Sequence, residues 1–374
     1  MAERVFLHIG AAKTGTSYLQ LLLWNNRGRL RQQGVHLPLR KRRHHFDAVA
    51  DLRGGIWADR GLTRTWDQLA AGVHRIEGTA VVSEELLCAT PAAQVERIME
   101  TLAPVEVHVV LTARDIGRQA PASWQQIVRA RGVSTYDEYL RRMREDPTSA
   151  FWTVQDPVGV HRRWGPHVGP GRFHLVTVPQ RGRPASLLWE RFASVIGADP
   201  ARVEAPSLNQ NESLGLVETE LLRRFNAQLG DAFPMRSPYI DNVRRWLTTP
   251  ALMGADNERI GLPAAYADWV HERSRQMVDE VRALSGEIDV VGDPDDLLAD
   301  VTVASRAPGD LSEGDLLERA LKAWVRQLQF LQQQEELRVE AAEADRVSEA
   351  GAAGPGPGRT ARVRSLLGRA RRRG

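Results

Sequence analysis

The sequence predicts an α/β fold, a parallel sheet flanked by helices with a helical C-terminal extension, and three observations carry that prediction. Strand-like apolar runs recur at Val5–Ile9, Thr79–Ser83, Val105–Thr112 and Phe173–Val178, separated by stretches of helical spacing or turn residues. Alternation of this kind favours parallel strands covered on both faces. The first run passes into a glycine-bounded turn, Gly10-Ala11-Ala12-Lys13-Thr14-Gly15, and then into a helix. Beyond Gly314 the chain changes character to a long Gln- and Glu-rich helix with an apolar stripe.

Taken in order, the first helix reads from Ser17 through Asn25, with Tyr18, Leu19, Leu21, Leu22 and Leu23 available to the core. From Arg27 to Arg64 the chain reads as basic and irregular, including Arg40-Lys41-Arg42-Arg43-His44-His45. That stretch suits a solvated loop or a surface for an anionic donor or acceptor. Leu187 to Ile196 reads as a helix stopped by Gly197, and another follows Ser213 with Val217, Leu221, Leu222 and Phe225 on one face. The region from about 236 to 300 is helical in part and carries no chemical motif. Leu317, Leu321, Trp324, Leu328 and Leu331 follow alternating four- and three-residue steps. Such a stripe, on a helix over 311–347, either packs on the domain or pairs with a second copy as a coiled-coil homodimer. Residues 350–358 are Gly, Ala and Pro only, which reads as a flexible linker, and 359–374 contain seven arginines. That basic tail suits contact with an anionic membrane surface or nucleic acid, or a solubilising role. The chain thus divides into an α/β domain over 1–310, the helix over 311–347, and a linker with basic tail over 348–374.

With 374 residues, 42% of them hydrophobic, the chain can bury a sizeable core. A net charge of only +3 gives no strong global field, and no nucleic-acid partner is expected. The single cysteine, Cys88, excludes an intramolecular disulfide and a Cys-rich metal site, which suits a reducing compartment. Val5–Ile9 is too short for a signal segment, and no run of about 18 apolar residues exists. These features predict a cytoplasmic protein.

Backbone N–H groups in a glycine turn, with the positive end of the following helix, bind anions. Gly10 and Gly15 have nucleotide-loop spacing, yet Thr16 stands where a P-loop NTPase carries its lysine, and Lys13 lies inside the loop. The segment Ala12-Lys13-Thr14-Gly15-Thr16-Ser17 resembles the 5′-phosphosulfate loop of sulfotransferases, roughly P-K-x-G-T-[TS], with Ala12 in place of the proline. The resemblance implies a P-loop-like fold of the soluble, bacterial, carbohydrate-type sulfotransferases. It also implies 3′-phosphoadenosine 5′-phosphosulfate as donor co-substrate, without a metal. Lys13 would lie near the oxygen bridging sulfate and phosphate, with Gly15, Thr16 and Ser17 on the 5′-phosphate. A cation fixed there stabilises the departing phosphate oxygen more in the transition state than before it.

Sulfotransferases place their 3′-phosphate site at a later strand end, with a pattern R-[DN]-P-x-x-R-x-x-S-x-[YW]. Here Val105–Thr112 is followed by Ala113-Arg114-Asp115, then Arg118 and Ser123-Trp124. Aligning Arg114 with the first arginine puts Trp124 on the aromatic position and Ala122 on the serine, so Ser123 serves if the helix shifts by one residue. Arg118 or Gln119 then takes the second basic position. For the base, Val81-Val82-Ser83-Glu84-Glu85 resembles the Ser-x-Glu of carbohydrate sulfotransferases, with Glu85 aligned and Glu84 in reserve. Neighbours on an extended segment point opposite ways, so one of the two faces the site; both can instead cap the following helix. His8, His44 and His45 compete for the role. Asn211-Glu212-Ser213-Leu214 matches the N-x-S-L segment of bacterial relatives, and Trp57, Trp66, Trp152 and Trp164 are available to stack on an acceptor ring. The implied reaction is in-line sulfuryl transfer to a hydroxyl of a carbohydrate, glycolipid or metabolite. The rivals are a P-loop kinase or NTPase using Mg-ATP, with Asp115 as metal ligand, and an inactive nucleotide-binding adaptor.

Overall fold

Six strands, β1 (Ala2–His8), β2 (Val35–His36), β3 (Gly78–Ser83), β4 (Glu106–Ala113), β5 (Phe173–Thr177) and β6 (Asp289–Val291), form one sheet in the order β2-β3-β1-β4-β5-β6. Every pairing is parallel. The computed structural model describes residues 2–55, 61–204, 214–230, 233, 239–254, 257–300 and 306–352. Helices α1 (Thr16–Asn25), α2 (Arg27–Arg31), α3 (Arg42–Arg53), α4 (Trp66–His74) and α5 (Ala92–Leu102) lie in the first part of the chain. α6 (Ile116–Arg129), α7 (Tyr136–Glu145), α8 (Ala150–Gln155), α9 (Pro157–Val168) and α10 (Leu187–Ile196) follow. α11 (Leu216–Gln228), a π-helical segment Tyr239–Leu252, α12 (Ala264–Ala283) and α13 (Glu313–Ala352) complete it.

Successive strand residues enter opposite faces, and both faces are covered. Val5, Leu7, Val82, Val109, Leu111 and Leu175 face a core completed by Val49, Leu69, Ile98 and Trp164 of the surrounding helices. Phe6, Val81, Val110 and Val176 face the other, against Leu19, Leu22 and Leu23 of α1 and Trp189 and Phe192 of α10. A third cluster, with Trp124, Tyr136, Leu222, Tyr239 and Val270, binds the helices after β4 to one another. From β1 the chain passes to the edge strand β2, returns as β3 between β2 and β1, then crosses to β4 on the other side of β1. Sites in such sheets lie outside the carboxyl ends of the strands where that reversal occurs, here between β1 and β4.

Several expectations need correction. Residues 27–64 are not irregular throughout: they contain α2, β2 and α3, because His45, Ala48, Val49 and Leu52 are buried at helical spacing beneath a dense set of arginines. The apolar stripe of α13 is not the face that docks. Leu316 and Ala323 are buried, and Phe330 meets Trp246 with ring centroids 5.7 Å apart, whereas Leu317, Trp324 and Leu328 are 62%, 64% and 67% exposed. α13 runs to Ala352, past the expected 347 and into the Gly-Ala-Pro stretch; the remaining linker and the basic tail lie outside the described residues. Trp66, Trp152 and Trp164 are buried in the core, while Trp57 and the Asn211–Ser213 part of the N-x-S-L match lie outside the described residues. Among the described residues no helix is long and apolar enough to cross a membrane.

Candidate functional site

At the carboxyl end of β1, Ile9 still donates its N–H to Val110 O at 3.0 Å before the chain turns through residues 10–15 into α1. Gly10 and Gly15 hold left-handed φ values of 65° and 88°. A Cβ on Gly10 would come within 2.6 Å of Thr16 Cγ2, and one on Gly15 within 2.5 Å of Leu188 Cδ2, so both space and backbone require glycine. Lys13 also sits at φ 69°, a conformation that costs an L residue roughly 1–2 kcal/mol. Gly15 caps α1 without a side chain, and the first turn of α1 holds no acidic residue, so its free N–H groups present positive partial charge to the loop.

Side chains from two later helices and a strand end hold the loop. Ala12 O accepts from Gln119 Nε2 and from Gln155 Nε2, the latter at 3.1 Å, and Lys13 O accepts from Arg114 at 3.4 Å. Beneath it runs a hydrogen-bond chain with one consistent proton direction. The Thr14 hydroxyl donates to Ala11 O at 2.6 Å, so it accepts from Thr112 at 2.6 Å. Thr112 in turn accepts from His8 Nε2 at 3.4 Å, and His8 Nδ1 accepts from the Ser83 hydroxyl at 2.7 Å. Burial pushes the His8 imidazole down to about 3, so the ring is neutral with both nitrogens occupied. His45 is neutral for the same reason, pushed down to about 4; its Nδ1 accepts from Ser83 N at 3.3 Å and its Nε2 donates to Pro38 O at 2.9 Å. Neither ring is free to act as a base.

The two glutamates after β3 separate as an extended segment requires. Glu84 is buried and caps the turn Glu85–Ala89 by accepting from Leu86 N at 3.3 Å; burial, reinforced by Glu85, pushes its carboxyl up to about 7. Glu85 is turned to the loop, where its carboxylate accepts from the Thr16 hydroxyl.

Cations gather on the same loop. Burial pushes the Lys13 amine down to about 8; the guanidinium groups of Arg129, Arg244 and Arg114 act in the same direction, and Glu85 opposes them. Burial, then Arg118, pushes Arg114 down to about 10, against the pull of Asp115. Arg129 is lowered by burial and by Arg244. The Nε groups of Arg114 and Arg129 are buried without a hydrogen-bond partner among the described residues. Sequence reasoning missed Arg129 and Arg244, one at the end of α6 and one on the π-helical segment, because neither belongs to a motif.

Arg118 is buried in an ion pair with Asp115 and donates to Pro179 O at 3.1 Å, so it faces the protein rather than the loop. Asp115 is committed to that pair and to capping α6 through Arg118 N at 2.9 Å. Gln119 braces Ala12, and Ser123 lies beside the Tyr139 hydroxyl. Ser17 is exposed on the first turn of α1. Among the described residues no group of three or more His, Cys, Asp or Glu is arranged to hold a metal ion.

No protein-family profile, curated protein or solved structure matches the chain. The sulfotransferase resemblance therefore rests on the loop and strand-end residues alone.

Proposed function

We propose that the chain is a sulfotransferase that moves a sulfuryl group from 3′-phosphoadenosine 5′-phosphosulfate to a hydroxyl of a carbohydrate, glycolipid or metabolite. The observation that carries the reading is the meeting, on one strained glycine loop, of Lys13, of Arg114 and Arg129 with buried unpaired N–H donors, and of the Glu85 carboxylate. A donor with phosphates at both its 3′ and 5′ positions suits that cationic set: the loop N–H groups and the start of α1 hold the 5′-phosphate, and Arg114, with Arg129 and Arg244 nearby, holds the 3′-phosphate. Lys13 stabilises charge on the departing oxygen, and Glu85, oriented by Thr16, takes the acceptor's proton as the new sulfur–oxygen bond forms. The kinase reading is weakened because Asp115 is tied to Arg118 and Thr16 stands at the loop-lysine position.

Calorimetric titration with 3′,5′-diphosphoadenosine, against ATP with Mg²⁺, tests the reading. Metal-independent binding of the diphosphate, weakened about tenfold or more by Arg114→Ala, is the expected result. Preference for Mg-ATP would move the chain to the P-loop kinases.

A further inference from the structure

Away from the loop, at the β2 edge of the sheet, α2, the turn after β2, the start of α3 and the end of α4 enclose a groove of about 1160 Å³. Five arginines line it, Arg27, Arg31, Arg40, Arg64 and Arg75, against one carboxylate, Glu77. Arg27 forms part of the wall: it donates to Leu37 O at 3.1 Å and to Leu39 O, and its guanidinium lies 5.6 Å over the Trp24 ring. Among the described residues Arg64 donates to the carbonyl of its neighbour Thr63. Arg31, Arg40 and Arg75 are exposed and make no ion pair among the described residues. Two histidines stand among them. Burial lowers the pKa of His36, and Arg31 and Arg27 lower it further against Glu77; His44 is lowered by burial and then by Arg64, and its buried Nδ1 has no hydrogen-bond partner among the described residues.

Charge at a sheet edge commonly guards against pairing with another chain. β2 is only two residues long and offers almost no template, so edge protection does not account for five converging arginines. A cleft this large, lined by guanidinium forks with neutral imidazoles between them, matches a ligand that alternates anionic groups with hydroxyls. Arginine pairs bidentately with carboxylate or sulfate, and an uncharged imidazole bonds a hydroxyl.

We propose that this groove binds a polyanionic oligosaccharide, its carboxylate or sulfate groups on the arginines and its hydroxyls on His36 and His44. Single-stranded nucleic acid is disfavoured because among the described residues no Phe, Tyr or Trp side chain lines the groove, and Trp24 beside it is covered by Arg27. The groove is independent of what the loop binds, although His45 joins the two by bonding Pro38 O on the groove wall and Ser83 N, two residues before Glu85.

The test is calorimetric titration of the full chain with oligogalacturonate and with sulfated dextran oligomers, the first carrying only carboxylates and the second only sulfates. Neutral dextran and oligo-dT are the controls, at about 50 and about 200 mM salt. Binding of either anionic oligosaccharide supports the proposal if salt weakens it, if the double variant Arg31→Gln/Arg75→Gln weakens it about tenfold or more, and if Lys13→Ala leaves it unchanged. Binding unchanged in the double variant, binding lost in Lys13→Ala, or tighter binding of oligo-dT overturns it. Both substituted arginines are exposed, so circular dichroism and diphosphoadenosine binding should match wild type and exclude misfolding.

Discussion

Two chains of hydrogen-bonded imidazoles cross the sheet, one at each end, and they differ in how many protons they need. At the carboxyl end the chain Ser83–His8–Thr112–Thr14 finishes on the Ala11 carbonyl, and hydroxyls that both give and accept let a neutral ring complete every contact. At the amino end Glu106 meets His108 Nε2 at 2.9 Å, His108 Nδ1 meets His174 Nε2 at 2.9 Å, and His174 Nδ1 meets Asp289 at 2.7 Å. Ionised carboxylates only accept, so three contacts need three ring protons, and two neutral rings bring two. One added proton closes the chain. Burial lowers the pKa of His108, which disfavours a charge on that ring. What terminates each chain decides its charge. Beneath the glycine loop the scaffold is neutral, so the positive charge there comes from Lys13, the arginines and the start of α1.

The comparison breaks first if the loop's charge is irrelevant. Lys13→Ala is expected to lower sulfuryl transfer about 10²–10³-fold with the fold retained, the usual effect of deleting one fixed charge-stabilising group. Because the amine titrates near 8, the wild-type rate should fall as pH rises through about 8; a variant that keeps full rate, or a flat alkaline profile, removes Lys13 from the reaction.

The neutral scaffold is the next point of attack. His8→Leu strips partners from the Ser83 hydroxyl and from Thr112, both buried. At roughly 1–3 kcal/mol for each of the two abandoned groups, urea unfolding should show a loss of about 2–6 kcal/mol. The pH dependence carries the sign. Burial pushes His8 and His45 down to about 3 and about 4 in the fold, against an ordinary value of 6.5. As pH falls below 6.5 the unfolded chain takes up protons that the folded one refuses, and stability declines. Glu84 works the other way: its carboxyl is raised from 4.5 to about 7, so its contribution favours the fold at low pH and is lost as pH rises through about 7. In His8→Leu the acid loss between about pH 6 and about pH 4.5 should be shallower than in wild type, by one histidine's worth. An unchanged slope would mean that His8 is not held neutral.

How much of this was legible in the sequence follows from where each interaction is encoded. The four long strands and the glycine loop are local patterns, and Lys13, Arg114 and Glu85 sit at strand ends that a parallel sheet must bring to one side. β2 and β6, two and three residues long, carry too few side chains for a period to show. α3 was hidden because its buried face includes the polar His45 and Asp47 and follows a run of basic residues, Arg40-Lys41-Arg42-Arg43. Arg129 and Arg244 reach the loop only through the packing of α6 and the π-helical segment, and sequence spacing says nothing about that. Arg118 shows the reverse error, since a motif position placed it at the site and a buried carboxylate one turn away claimed it.

The finest test converts one kind of chain into the other. Asp289→Asn replaces the terminal carboxylate with an amide that can donate to His174 Nδ1, so all three contacts can be made by two neutral rings, as at the carboxyl end. The stability change should be small, about 0.5 kcal/mol, because Asp289 is half exposed and exposed pairs contribute little. The ring protons that the three contacts need should drop from three to two, and imidazole nitrogen chemical shifts should report different sets of protonated nitrogens in the two proteins. Identical nitrogen shifts in the two proteins would show that the terminal group does not set the charge, and the contrast between the two ends of the sheet would lose its physical basis.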